Sequence, residues 1–305
     1  MCIKDITSHA LPGIPSWVKK MTQRPFYFLV LLGAVCVLVA VLVGVGVVDE
    51  TSKASGAPTQ RQESARQREM IDRSYAIDLA TKLRWPDKTI KLNLENVPKK
   101  FKGYIYANMN YLNSVSCVRY TAAAGSWDVP HITFVRRPTC SSYVGYIGQS
   151  SQEMYLSGKC FKRKGTFAHE MLHAAGFHHE QARPDRDDYI FVNLTNIVPD
   201  RMRNFAKIEG YYGYLATMGL PYDYDSILHY PTYSFAKDAS VPTITVKGRH
   251  NHSIGEQDDL SRSDIARLNR YYDCVDHYLG DDIPGAIPYH EWRDTAYTLP
   301  VPKAI

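Results

Sequence analysis

His169-Glu170-Met171-Leu172-His173-Ala174-Ala175-Gly176-Phe177-His178-His179 is the stretch on which the reading of this chain turns. Residues four apart in an α-helix differ by about 40° around its axis, so His169 and His173 project from one face at a separation that a single metal ion spans. Glu170 lies beside the remaining coordination position, where it can act as general base on a metal-held water. Gly176 lets the chain leave the helix through a positive φ, and the bend returns His179 as third ligand. The fourth position then stays open, as catalytic zinc requires. His178 is the rival third ligand, but the spacing selects His179. A bare H-E-x-x-H arises often by chance. The extended H-E-x-x-H-x-x-G-x-x-H fixes six positions and is far more specific.

Charge excludes one broad class. The 305 residues carry a net charge of +5, yet Lys4, Lys19, Lys20 and Arg24 stand against Asp5 alone before residue 49, leaving 32 basic and 30 acidic side chains beyond it. A nearly neutral body without a dense basic stripe is not a nucleic-acid binder.

Phe26 to Val48 is a run of 23 residues without a charge. As a helix at about 1.5 Å per residue it covers the roughly 30 Å of a bilayer core. It is longer than a signal-peptide core, and Val47-Val48-Asp49 lacks the small residues of a cleavage site. The reading is a signal anchor, with residues 1–25 cytosolic because Lys19, Lys20 and Arg24 flank its start. The alternative is a cleaved signal and a secreted product. Residues 49–73 are polar and read as a stalk or propeptide-like linker. Four of the six cysteines, Cys117, Cys140, Cys160 and Cys274, lie beyond the anchor and suggest two disulfides, with spacing leaving three connectivities open. Asn193 and Asn251 begin glycosylation sequons on the same side.

Within residues 74–276, Ile105, Met109 and Leu112 have helical spacing, and 131–135 and 153–156 read as strands. Phe167 to Ala175 and Ser261 to Tyr272 read as helices, the latter with Ser261 and Asp264 at capping-box spacing. Residues 209–214 look irregular. Residues 277–305, with four prolines among residues 275–305, read as a loosely ordered C-terminal tail.

Beyond the metal motif, Phe177-His178-His179-Glu180-Gln181-Ala182-Arg183-Pro184-Asp185-Arg186-Asp187-Asp188-Tyr189 and Tyr222-Asp223-Tyr224-Asp225-Ser226-Ile227-Leu228-His229-Tyr230 resemble the zinc-site and Met-turn segments of the astacin family of zinc metalloendopeptidases, within the metzincins. The resemblance spans about residues 74–276. It implies an α+β fold of zincin type. An upper lobe would hold a small mixed sheet and the zinc helix, a lower lobe would be irregular, and a substrate groove would run between them. It implies one Zn2+ per chain on His169, His173 and His179, with Tyr230 as a further, displaceable ligand that also stabilises the oxyanion. Glu180 matches the acid that receives the mature N-terminus. The disulfide pairing implied is Cys117–Cys274 and Cys140–Cys160, and the strand near 153–156 would form the upper edge of the groove, where extended protein or peptide substrates add as a strand.

Two departures stand out. Leu228 occupies the Met-turn position, a swap of similar volume that costs under about 1.5 kcal/mol. The family's F-x-G-D latency motif is missing from 49–73, so latency would use another acid such as Asp72, follow a different rule or be absent. A cut after Arg73 would fit the family's start. The function implied is an endopeptidase acting on extracellular proteins, and the other reading is a catalytically silent binding or adhesion module. Lys247 and Arg249 are candidates for favouring acidic residues just after the scissile bond. The substrate and the oligomeric state are not legible.

Overall fold

In the computed structural model, which describes residues 83–123, 129–208, 216–248 and 253–296, four strands open the folded region. They are β1 (Thr89–Asn93), β2 (Arg119–Ala123), β3 (His131–Arg136) and β4 (Ser151–Leu156), ordered β2-β1-β3-β4. All three pairings are parallel. Parallel neighbours need a long crossover, and helix α1 (Lys99–Val115) supplies it between β1 and β2. Its buried residues are Ile105, Met109 and Leu112, the three picked out by their spacing.

The mixed sheet expected from the sequence is corrected in one respect. The antiparallel character is confined to an isolated bridge, in which the Ser141 and Tyr155 backbones exchange hydrogen bonds of 3.0 and 2.8 Å. The Ser141 segment therefore lies outside β4, and residues 153–156 are not the outermost edge.

Helix α2 (Lys164–Ala175) is buried from Phe167 to Ala175, and over that span its sequence is apolar apart from the two histidines and Glu170. Trp85 is buried and donates its Nε1–H to Ala174 O at 2.7 Å, tying the start of the described chain to the helix's last turn. Gly176 ends α2 at φ 120°, and a Cβ there would lie 2.9 Å from the Tyr271 ring.

The rest is sparse in regular structure. Strands β5 (Ile190–Val192) and β6 (Ile244–Val246) form a short antiparallel pair amid 3-10 turns. Helix α3 (Arg262–Tyr271) starts at the expected capping box, Ser261 bonding the Asp264 backbone and Asp264 bonding that of Ser261. Disulfides join Cys117 to Cys274 and Cys140 to Cys160.

Apolar side chains gather in two clusters. The larger contains the sheet, α1, α2, Ile227 and Leu228; the smaller contains Ile190, Ile197, Phe205, Tyr222, Tyr230, Ile244 and Ile254. Leu228 and Tyr230, two residues apart, thus belong to different cores. The chain crosses from one lobe to the other at that point.

The loosely ordered tail is also corrected over residues 277–296. Helix α4 (Tyr289–Ala296) follows two prolines, and its Tyr289 and Trp292 are buried. The eight-residue helix is too short and too polar to show a period on its own. No helix among the described residues is long and apolar enough to cross a membrane, and residues 26–48, the linker 49–73, Arg249 and Asn251 lie outside them.

Gly255 sets the position of Tyr230 from behind. Its φ is +72°, and a Cβ on it would stand 2.2 Å from Tyr230 C and 2.1 Å from Pro231 N. Backbone atoms cannot yield as a side-chain tip can. Gly255→Ala is expected to lower unfolding free energy by about 2–4 kcal/mol, read from the urea midpoint; a shift within about 0.5 kcal/mol would show that the backbone relaxes there.

Candidate metal centre

Two elements converge on one point. Helix α2 supplies His169 and His173 a turn apart, and the turn after Gly176 returns His179. All three are buried, and each offers a ligand atom within 4.8 Å of the others. The Nε2 atoms of His173 and His179 are 3.2 Å apart. His178 is exposed and stands outside the cluster.

Backbone carbonyls orient two of the rings. His169 Nδ1 donates to Ile227 O at 2.6 Å, and His173 Nδ1 donates to Phe177 O at 2.6 Å. A carbonyl only accepts, so each Nδ1 carries the proton and each Nε2 keeps its lone pair for the cluster. Burial opposes charging these rings. It lowers His169 from 6.5 to about 4 and holds His173 and His179 well below the usual value, with the neighbouring histidines adding to the shift in the latter two.

Glu170 is fully buried, and neither carboxylate oxygen has a hydrogen-bond partner among the described residues. Desolvation raises the group to about 8, only partly offset by the Ser142 backbone. His169 Nε2 is likewise buried and unpartnered among those residues. Orphaned buried polar atoms are rare in native proteins and point to a missing ligand. Three neutral imidazoles with one carboxylate beside them fit Zn2+, which takes nitrogen donors and, in catalytic sites, three protein ligands.

The Tyr230 ring packs 4.3 Å from that of His179, centroid to centroid. Its backbone is fixed by its own N–H to Gln181 Oε1 at 3.2 Å and by His229 Nδ1 to Tyr230 O at 2.8 Å. His229 is buried and accepts from the Tyr222 hydroxyl at 2.8 Å. No spacing marks that role. A cleft of about 320 Å³ opens beside His169, lined among others by Thr166, His229, Tyr230, Gln257 and Arg163. Among the described residues, Arg163 is its only permanently charged lining side chain. Lys247 does not line it, because its Nζ donates to Asp187 O.

Leu228 sits in the main core, and its carbonyl accepts from Glu180 N at 3.1 Å. Asp264 holds the same turn by accepting from Ser226 Oγ at 2.7 Å and Ile227 N at 2.9 Å, a second role beyond its helix cap. Glu180 is fully buried and accepts from Arg183 at 3.1 Å, Arg267 at 2.7 Å and Asp223 N at 2.9 Å. Burial alone would raise it, but the two guanidiniums overcome that and hold it below the usual range. Asn193 is half-buried and accepts from Thr195 Oγ1 at 2.6 Å.

A family model described as Astacin, a family of peptidases, matches residues 78–273. Among curated proteins, the chain is 34% identical over 198 residues to Protein SpAN of Strongylocentrotus purpuratus, covering 63% of this chain and 32% of that protein. It is 35% identical over 193 residues to meprin A subunit alpha of Mus musculus, covering 63% and 25%. Among solved structures, high choriolytic enzyme 1, a hatching enzyme zinc-protease from Oryzias latipes, aligns with a TM-score of 0.57 at 30% identity, covering 64% of this chain and 96% of that one. The chain therefore spans only about a third or less of the length of these two curated relatives.

The depressed histidines set the pH behaviour of the zinc-free protein. A folded-state value below the unfolded 6.5 means that the unfolded chain binds more protons at acid pH. The histidine contribution is then complete above about 6.5 and falls as pH drops toward about 4, whereas that of Glu170 is complete at acid pH and is lost as pH rises toward about 8. In a Glu170→Ala chain, which lacks the opposing carboxylate, urea unfolding in chelator is expected to give a lower midpoint at about pH 5.5 than at about pH 7.5, with added zinc widening the gap. Equal midpoints in chelator would contradict burial of neutral rings.

Proposed function

The chain belongs to the astacin family of peptidases, and on that premise we propose that it is a zinc-dependent endopeptidase that cuts internal bonds of extracellular proteins. The observation that carries this reading is the pairing of three buried imidazoles, one of them lining a cleft, with a buried carboxylate that has no hydrogen bond among the described residues.

His169, His173 and His179 would hold the ion. Zinc supplies Lewis acidity there, polarising a scissile carbonyl and lowering the pKa of a water. Glu170 takes the proton from the attacking water and hands it to the leaving amine nitrogen. Its low-dielectric surroundings favour holding that proton between the two transfers. Tyr230, packed on His179, offers a phenolic O–H to the oxyanion. The Ser141 segment, outside β4, offers backbone groups along which an extended substrate would lie. Loss of a ligand or of the base would favour a silent binding module instead. All four are present, and the Leu228 side chain fills the Met-turn position without a cavity-making truncation.

Glu170→Ala is expected to fold and retain one zinc while peptide cleavage falls by about two to four orders of magnitude. Wild-type turnover by that variant would remove Glu170 from the mechanism.

For location, the reading is a single-pass type II membrane protein anchored by residues 26–48, with the catalytic domain outside the cell. Supporting it are the uncharged run and the Lys19, Lys20 and Arg24 cluster before it. The full-length product is expected to stay with membranes through alkaline carbonate extraction; release of uncut chain into the supernatant would exclude the anchor.

A further inference from the structure

The family match ends at residue 273, yet the chain folds on to residue 296. We infer that residues 277–296 form a strap that holds the zinc loop, residues 177–183, in its working position, with Arg270 as the positioning residue through which the strap acts. The inference rests on reading His169, His173 and His179 as a zinc site.

Arg270, on α3, is fully buried and turns every arm of its guanidinium to the chain. Nε donates to Leu279 O at 2.6 Å, and Nη2 to Asp281 at 2.9 Å. Nη1 donates both to Ile287 O at 2.9 Å and to Met218 O at 2.7 Å. The first three acceptors belong to the strap, and the last to a loop roughly fifty residues upstream. Burying a guanidinium is tolerable only while its acceptors stay in place, so this one residue fixes strap and loop together.

The strap grips the loop at two further points. Ile287 N donates to Gly219 O at 2.8 Å. Trp292 lies so close to Gly219 that a Cβ there would stand 2.7 Å from its Cδ1. Asp281 joins the ends of the strap by also accepting from Tyr289 N at 2.8 Å.

From Gly219 the loop runs straight into the zinc loop's partners. Leu220 O and Pro221 O accept from Arg183 at 3.0 and 2.9 Å, and Asp223 N donates to Glu180. Glu180 follows His179 in sequence and is itself bonded to Arg183. Most of these links end on backbone atoms, which sets positions rather than merely filling volume. Loosening the strap should therefore be felt at His179, although no strap residue reaches the site.

Asp281→Ala and Trp292→Leu test this in the full-length chain. Asp281 is about half exposed, so its loss should leave the fold intact if Trp292→Leu fails to fold. Amide exchange at Gly219, Asp223 and Glu180 is expected to quicken, and the zinc dissociation constant, measured against a chromogenic chelator at a temperature where the variant is fully folded, to rise about tenfold. A lower thermal midpoint with unchanged zinc affinity and unchanged exchange at Glu180 would overturn the inference, leaving the strap a stabiliser only. Zinc affinity is read rather than cleavage, so failure here leaves the peptidase reading standing.

Discussion

Holding three uncharged imidazoles and a carboxylate together away from water is the constraint that the surrounding structure serves. Each ring must be neutral to lend a lone pair, and desolvation enforces that neutrality. The same desolvation raises the proton affinity of Glu170, which has no hydrogen-bond partner among the described residues. Burial of α2 from Phe167 to Ala175 is therefore required, and an amphipathic surface helix with the same three side chains would not do. The parallel sheet, α1 and the Trp85 contact to Ala174 are what bury it.

The second lobe meets this arrangement along residues 226–230. Within that short passage Ile227 O orients His169, Leu228 joins the main core, and Tyr230 enters the other core beside His179. Asp264 grips its start and Gln181 its end. Because the passage is held mainly through backbone atoms, a leucine at 228 in place of the family's methionine changes the packing surface and not the anchoring. Glu180 stabilises the far side as a buried charge already matched by two arginines.

The metal ligands, Glu170, the helices α1, α2 and α3 and the strands β3 and β4 were legible because their signals are local: fixed spacing, a 3.6-residue period, a capping box. Strands β1 and β2 were not, since Lys91 and Asn93 in one and Arg119, Ala122 and Ala123 in the other dilute the β-branched and aromatic content that marks a strand. The outer position of the Ser141 segment was hidden because a single bridge has no sequence period. His229, Gln181 and the second role of Asp264 depend on contacts between residues far apart in sequence. Residues 277–296 misled for a different reason: their order comes from Arg270 and Gly219, outside the segment, and not from its own composition.

The acceptors that fix His169 and His173 are peptide oxygens, of Ile227 and Phe177. Every amino acid carries that oxygen, so no codon change at either position deletes it. Alanine scanning would therefore pass over the two atoms that dictate ring tautomer in this centre. The site is insulated from the commonest kind of genetic damage at those points, and chemistry on the main chain itself, such as replacing the amide by an ester, would be needed to expose their contribution.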